Sequence, residues 1–159
     1  MAQSDRAITA WEKLMFRTDF KRIIEIGTFH GGFSLYLLLL TISNEAEFYT
    51  FDIKNWRDYD HSPRLKNYFK LDEHFFQMDI FSKVEFVKDL IVGRGITVLF
   101  CDGGNKEAEF NLFSPFLKKW DIIAVHDWKT ETFPENLRLE GLEEIQVFDD
   151  EMTRFFRKI

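Results

Sequence analysis

The chain has 159 residues, enough for one domain with a real core. Its hydrophobic fraction is 45% and its formal net charge is −6, which argues against bare nucleic acid as the main partner, because neutralising phosphates needs a basic face. A single cysteine, Cys101, excludes an intrachain disulfide and points to a reducing compartment.

The N-terminus is polar and leads into an amphipathic stretch, so it does not read as a signal peptide. The longest apolar run, Leu35 to Ile42, is interrupted by Tyr36 and Thr41 and is too short to span a bilayer. A soluble cytoplasmic protein with no membrane partner is expected. There is no internal repeat, low-complexity tract or Pro/Gly-rich linker, so residues 1–159 read as a single domain, with an N-terminal helix in 1–20 packed on it. The 19 phenylalanines predict a core filled with aromatics, the alternative being exposed rings at a ligand pocket or subunit contact.

Ile8 to Phe16 patterns as a helix with Ile8, Trp11, Leu14 and Met15 on one face. Arg22 to Ile26 is a short β-branched run ending at Gly27, hence a strand. A helix follows over Phe33 to Ile42, then a strand over Glu47 to Phe51 that ends in Asp52. Ile53 to Pro63 is polar and loop-like, and Glu73 to Gln77 is a third strand. Ser82 to Val92 is a helix with Ser82 as N-cap, closed by Gly93. Ile96 to Phe100 is an apolar strand, Lys106 to Lys119 a helix containing an awkward Pro115, and Asp121 to Val125 a buried strand. Leu142 to Phe148 and Thr153 to Lys158 form two closing strands. The alternation predicts an α/β, Rossmann-like, doubly wound and mainly parallel seven-stranded sheet, with helices on both faces and a C-terminal antiparallel hairpin. Ligands in such sheets bind beyond the carboxyl ends of the strands, here Gly27, Asp52, Asp79, Asp102 and Asp127.

Gly27-Thr-Phe-His-Gly31-Gly32-Phe-Ser34 follows a strand and opens a helix, where glycines let the backbone turn sharply and approach a ligand. It matches a phosphate-binding P-loop except that Phe33 stands where the lysine belongs, which counts against a nucleoside triphosphate. It lacks the central glycine of the dinucleotide form. What remains is a nucleoside-type cofactor without phosphates, or a tight turn that binds nothing. Asp52, at the end of the next strand, can accept both ribose hydroxyls. Asp102 and Asp127 end neighbouring strands, and two carboxylates so placed repel unless a cation lies between them. Mg²⁺ or Mn²⁺ suits oxygen ligands.

Ile24-Glu-Ile-Gly-Thr-Phe-His-Gly-Gly-Phe-Ser34, Phe48-Tyr-Thr-Phe-Asp-Ile53 and Val98-Leu-Phe-Cys-Asp-Gly-Gly-Asn-Lys106, running on to Ile122-Ile-Ala-Val-His-Asp127, together resemble class I S-adenosylmethionine (SAM)-dependent methyltransferases. The likeness is greatest to the cephalosporin hydroxylase-like and macrocin-type small-molecule O-methyltransferases. The resemblance implies SAM held by Glu25, Gly27, Thr28, Phe29, His30 and Gly31, by Asp52 and Ile53 at the ribose, by Asp79 and Ile80 near the adenine, and by Asp102. A different reading makes Asp79 a helix N-terminal acid before Ser82. The resemblance also implies a divalent metal on Asp102, His126 and Asp127, where histidine suits Mn²⁺, Fe²⁺ or Zn²⁺ better than Mg²⁺.

Relatives often place a catalytic histidine where this chain has Asn105, which takes no proton at useful pH. Lys106 and Lys129 are the remaining candidates for a base. Trp56, Tyr59, His61 and Trp128 are loop aromatics that could stack on adenine or acceptor, His30 reads as a spacer and His74 as a strand residue. The acceptor implied is a small hydroxylated molecule, and a homodimer is the default assembly. The short segment before the first strand leaves the acceptor side open, or closed by a second subunit or by a large substrate. The rival reading is a SAM- or nucleotide-binding module, a sensor or assembly subunit, without efficient methyl transfer.

Overall fold

The computed structural model describes residues 5–58, 64–146 and 152–159. The elements in order are α1 (Asp5–Phe16), β1 (Phe20–Ile26), α2 (Gly32–Ser43), β2 (Glu47–Asp52), α3 (Arg64–Tyr68), β3 (Phe75–Gln77), α4 (Val84–Ile91), β4 (Ile96–Cys101), α5 (Lys106–Phe113), β5 (Ile122–Val125), β6 (Leu142–Ile145) and β7 (Arg154–Lys158). Seven strands form one sheet in the order β3-β2-β1-β4-β5-β7-β6. β3, β2, β1, β4 and β5 are parallel, while β7 pairs antiparallel with both β5 and β6. The expected mainly parallel sheet with a C-terminal hairpin is the one observed.

Strand periodicity divides the core in two. Ile23, Val98, Ile122 and Phe155 face one way, against Trp11 and Leu14 of α1 and Leu37 and Leu38 of α2. Their neighbours Ile24, Leu99, Ile123 and Phe156 face the other, against Val87 and Ile91 of α4 and Phe110 and Phe113 of α5. Both faces are covered, which is why the central strands read as unbroken apolar runs. Seven phenylalanines, among them Phe48, Phe51 and Phe100, are at most 2% exposed, as the aromatic-core expectation requires. Others, including Phe16 and Phe29, lie on the surface.

Several boundaries differ from the sequence reading. α5 ends at Phe113 rather than Lys119, because Pro115 starts a separate 3₁₀ turn over Ser114–Phe116. α4 starts at Val84 and not at Ser82, which belongs to a 3₁₀ turn over Ile80–Ser82. Asp79 caps that turn by accepting the Phe81 N–H. β3 begins only at Phe75, so His74 is no strand residue; it closes the 3₁₀ turn Leu71–Glu73. α3 lies in a stretch the apolar pattern left unassigned. The far end of the expected strand 142–148, including Phe148, and the loop residues Tyr59 and His61 lie outside the described residues. Among the described residues no helix is long and apolar enough to cross a membrane.

Candidate functional site

The strand order turns back between β1 and β4, and the loops leaving these two strands meet at their carboxyl ends. Gly27 N–H bonds Phe51 O on one side, and Asp102 N–H bonds Ile26 O on the other. Gly27 has φ 102°, and a Cβ there would overlap the Asp102 carbonyl. Only glycine allows this approach of the two loops. Gly31, at φ 68°, caps α2.

A cavity of about 790 Å³ opens over this junction. Its floor is Glu25, Gly27, Asp52 and Asp102, and Thr28, Phe29 and His30 of the glycine loop line one flank. His126, Asp127, Lys106 and Glu131 form the opposite flank. Ile8, Phe33 and Tyr36 close the apolar end. The volume lies in the range that holds a cofactor-sized ligand.

Asp52 is oriented by backbone: its Oδ2 accepts the Phe29 N–H at 2.9 Å and its Oδ1 the Lys54 N–H at 3.0 Å. Glu25 is 1% exposed. Burial pushes its carboxyl up to about 7, against the opposing pull of the Ser34 and Thr50 hydroxyls and with a push from Asp52. Burial also carries Asp102 up to about 8; Lys106 opposes this, and Glu25, Asp127 and Glu109 reinforce it. Glu109, reached by the Gly103 and Asn105 N–H groups, is pushed to about 7, chiefly by burial. Its carboxylate ties down the loop that carries Asp102.

The second flank is a charge cluster. Lys106 Nζ lies 3.0 Å from Asp127 Oδ2 and 2.9 Å from Glu131 Oε2. Burial works against its charge, but the bonds to Glu131 and Asp127 outweigh that and hold its pKa above the ordinary lysine value. Asp127 sits at φ 55°, an uncommon conformation for a non-glycine residue and one that concentrates at functional sites. Its Oδ1 is buried without a hydrogen-bond partner, 3.5 Å from His126 Nε2. Carboxylate and imidazole atoms of Asp102, His126 and Asp127 all come within 4.8 Å of one another. This donor set, with its orphaned buried oxygen, could hold a divalent cation.

Of the residues the sequence nominates, Glu25, Gly27, Thr28, Phe29, His30, Asp52, Asp102, Lys106, His126 and Asp127 meet at this cavity. Gly31, Ile53, Asp79, Ile80, Asn105 and Lys129 do not line it. Ile53 points outward at 65% exposure, and Ile80 packs in the core beside α4. Asn105 is the N-cap of α5: its Oδ1 accepts the Ala108 N–H at 3.2 Å. Lys129 is exposed. Lys106 pairs with Asp127 and Glu131, and its raised pKa counts against a role as a base. Trp56 and Trp128 do not line this cavity: both are buried, in opposite halves of the core. The pocket aromatics are instead Phe29, Phe33 and Tyr36. The sequence reading missed Ile8, Phe33, Tyr36 and Glu131. The polar Tyr36 inside an otherwise apolar helix was the available signal; Ile8 looked like any other core-face residue. This end of the cavity is walled by α1 through Ile8, whose carbonyl accepts the Tyr36 hydroxyl at 3.2 Å.

No family model matches the chain, and no curated protein matches it. Solved structures do. One is a protein assigned as a caffeoyl-CoA O-methyltransferase from Staphylococcus aureus, with TM-score 0.72 and 14% identity, covering 100% of this chain and 86% of that one. A second is the O-methyltransferase TomG of tomaymycin synthesis from Streptomyces achromogenes, in complex with SAM, with TM-score 0.55 and 16% identity, covering 98% and 79%. A third is an rRNA methylase from Streptococcus thermophilus, with TM-score 0.57 and 11% identity, covering 100% and 99%. At these identities the likeness establishes the fold: a Rossmann-like sheet of the kind found in SAM-dependent methyltransferases.

Proposed function

We propose that this chain is a SAM-dependent methyltransferase that moves a methyl group to a hydroxyl oxygen of a small molecule, with a divalent cation on Asp102, His126 and Asp127. One observation carries the reading: Glu25, Asp52 and the Asp102–His126–Asp127 cluster come from four different strand ends and converge on one cavity. The O-methyltransferases that share the fold support it.

SAM, when bound, supplies an electrophilic methyl group on sulfur. Asp52, already fixed by two amides, receives the ribose hydroxyls. Glu25 receives the methionine ammonium. Phe33, Tyr36 and Ile8 hold the acceptor's apolar side and exclude water from the transfer path. A divalent cation at the cluster would lower the pKa of the acceptor hydroxyl. It would use Asp127 Oδ1, because Lys106 already holds Oδ2. The lysine holds that carboxylate in orientation. The net charge of −6 favours a small acceptor over RNA despite the methylase likeness.

The module reading keeps one specific support: neither Asn105 nor Lys106 is placed to take a proton. Calorimetry with SAM and S-adenosylhomocysteine, in Mn²⁺ or Mg²⁺ and again in EDTA, separates the two. Binding at about micromolar Kd is expected, with a heat that changes on chelation. Asp52→Ala should weaken SAM, and Asp102→Ala should abolish turnover. Absence of binding to either ligand would remove the cofactor reading. Binding that is indifferent to metal, with no methyl transfer to any hydroxylated acceptor, would favour the module.

A further inference from the structure

Thr50 is fully buried on β2 and lies behind the pocket wall rather than on it. It is the register partner of Glu25 on the neighbouring parallel strand. Its Oγ1 donates to Glu25 Oε2 at 2.6 Å and lies 2.6 Å from Thr28 Oγ1 in the glycine loop. A hydroxyl has one proton, and an ionised carboxylate has none. With the Thr50 proton on Glu25, Thr28 must donate to Thr50. With Glu25 ionised, the chain therefore runs one way, from Thr28 through Thr50 to the carboxylate. Thr28, Thr50 and Glu25 are 4%, 0% and 1% exposed, so water does not replace these bonds. A valine would suit this strand position equally well by shape, which makes the hydroxyl the informative feature.

We infer that Thr50 is a positioning residue: through the Thr28–Thr50–Glu25 chain it holds the Glu25 carboxylate aimed at the ammonium group of the cofactor, so that recognition of the amino-acid half depends on a side chain that never touches it. The inference rests on the SAM reading above. It also separates ligands. S-adenosylhomocysteine carries the amino acid, whereas 5′-methylthioadenosine keeps the nucleoside and the thioether but lacks it.

The experiment measures binding of both ligands by calorimetry to the parent, Thr50→Val and Thr50→Ser. Thr50→Val should weaken S-adenosylhomocysteine roughly ten-fold, the scale of one charge-assisted hydrogen bond. Methylthioadenosine should stay within about two-fold, since the ribose and adenine contacts are untouched. Thr50→Ser should restore the parent affinity. Equal losses for both ligands, as a general loosening of the strand would give, or no loss for either, would overturn the inference while leaving the cofactor reading intact. A parent that binds neither ligand overturns both. Should Thr50→Val melt far below the parent, Thr50→Ala removes the same hydroxyl from behind the wall. The same selectivity against the amino-acid-bearing ligand is then expected, and its absence counts against the proposal.

Discussion

Glu25 is a buried carboxylate whose pKa of about 7 sets a pH dependence of known sign. In the unfolded chain the group titrates near the ordinary value of 4.5; in the fold it binds its proton more tightly. Between these two values the native state holds a proton that the unfolded state has lost. The resulting stabilisation is complete below the lower value and is lost as pH rises through the upper one. Each such group contributes a slope of about 1.4 kcal/mol per pH unit in that window. Glu109, also at about 7, acts in the same direction. Ligand-free protein should therefore resist urea better at pH 6 than at pH 8. Glu25→Gln should flatten the slope by about one group's share, ~1.4 kcal/mol per unit, read from urea midpoints across the range. An unchanged slope would place the proton elsewhere. At this scale the sequence was legible where a carboxylate ended a strand, as with Asp52, Asp102 and Asp127. Lys106 was not, because its protonation depends on Glu131, a residue far along the chain that only the loop after β5 brings to it.

At the scale of the element, the N-terminus of α5 explains why Asn105 is no base. Its side-chain oxygen satisfies the Ala108 N–H, while the carboxylate of Glu109 turns back to the Gly103 and Asn105 N–H groups. This is a cap built by the helix for its own loop, and the same loop presents Asp102 to the cavity. Asn105→Ala should cost about 1 kcal/mol of unfolding free energy. Asn105→Asp, which keeps an acceptor oxygen, should cost less; denaturant titration of both variants checks the order. The helices and strands with clear apolar periods were legible at this scale, and their ends were not. α5 stops early because a proline lacks an N–H, and α4 starts late because Asp79 caps a 3₁₀ turn ahead of it. Ends are set by which few amides find an acceptor, and periodicity is silent on that.

For the molecule as a whole, the alternation of strands and helices was enough to give the doubly wound sheet and to place its ligand edge. It did not tell which helix would close the pocket. That role falls to α1, which is anchored through Trp11: its ring meets Phe33 of α2 at 5.7 Å, Phe100 of β4 at 5.0 Å and Phe155 of β7 at 5.2 Å, each edge-on. One side chain thus joins the first helix, the glycine-loop helix, a central strand and the last strand. Trp11→Ala should cost about 3–5 kcal/mol, a large part of the stability of a domain this size. Trp11→Phe should behave differently. The indole Nε1 is buried without a hydrogen-bond partner, so the native residue already carries the penalty of an unsatisfied donor. Phenylalanine loses volume but removes that donor, and the two effects oppose each other. The expected net change is within about 1 kcal/mol. Urea unfolding of the two variants gives the contrast directly. If Trp11→Phe proves as damaging as Trp11→Ala, the anchor needs the full width of the indole and not merely an aromatic ring at this position.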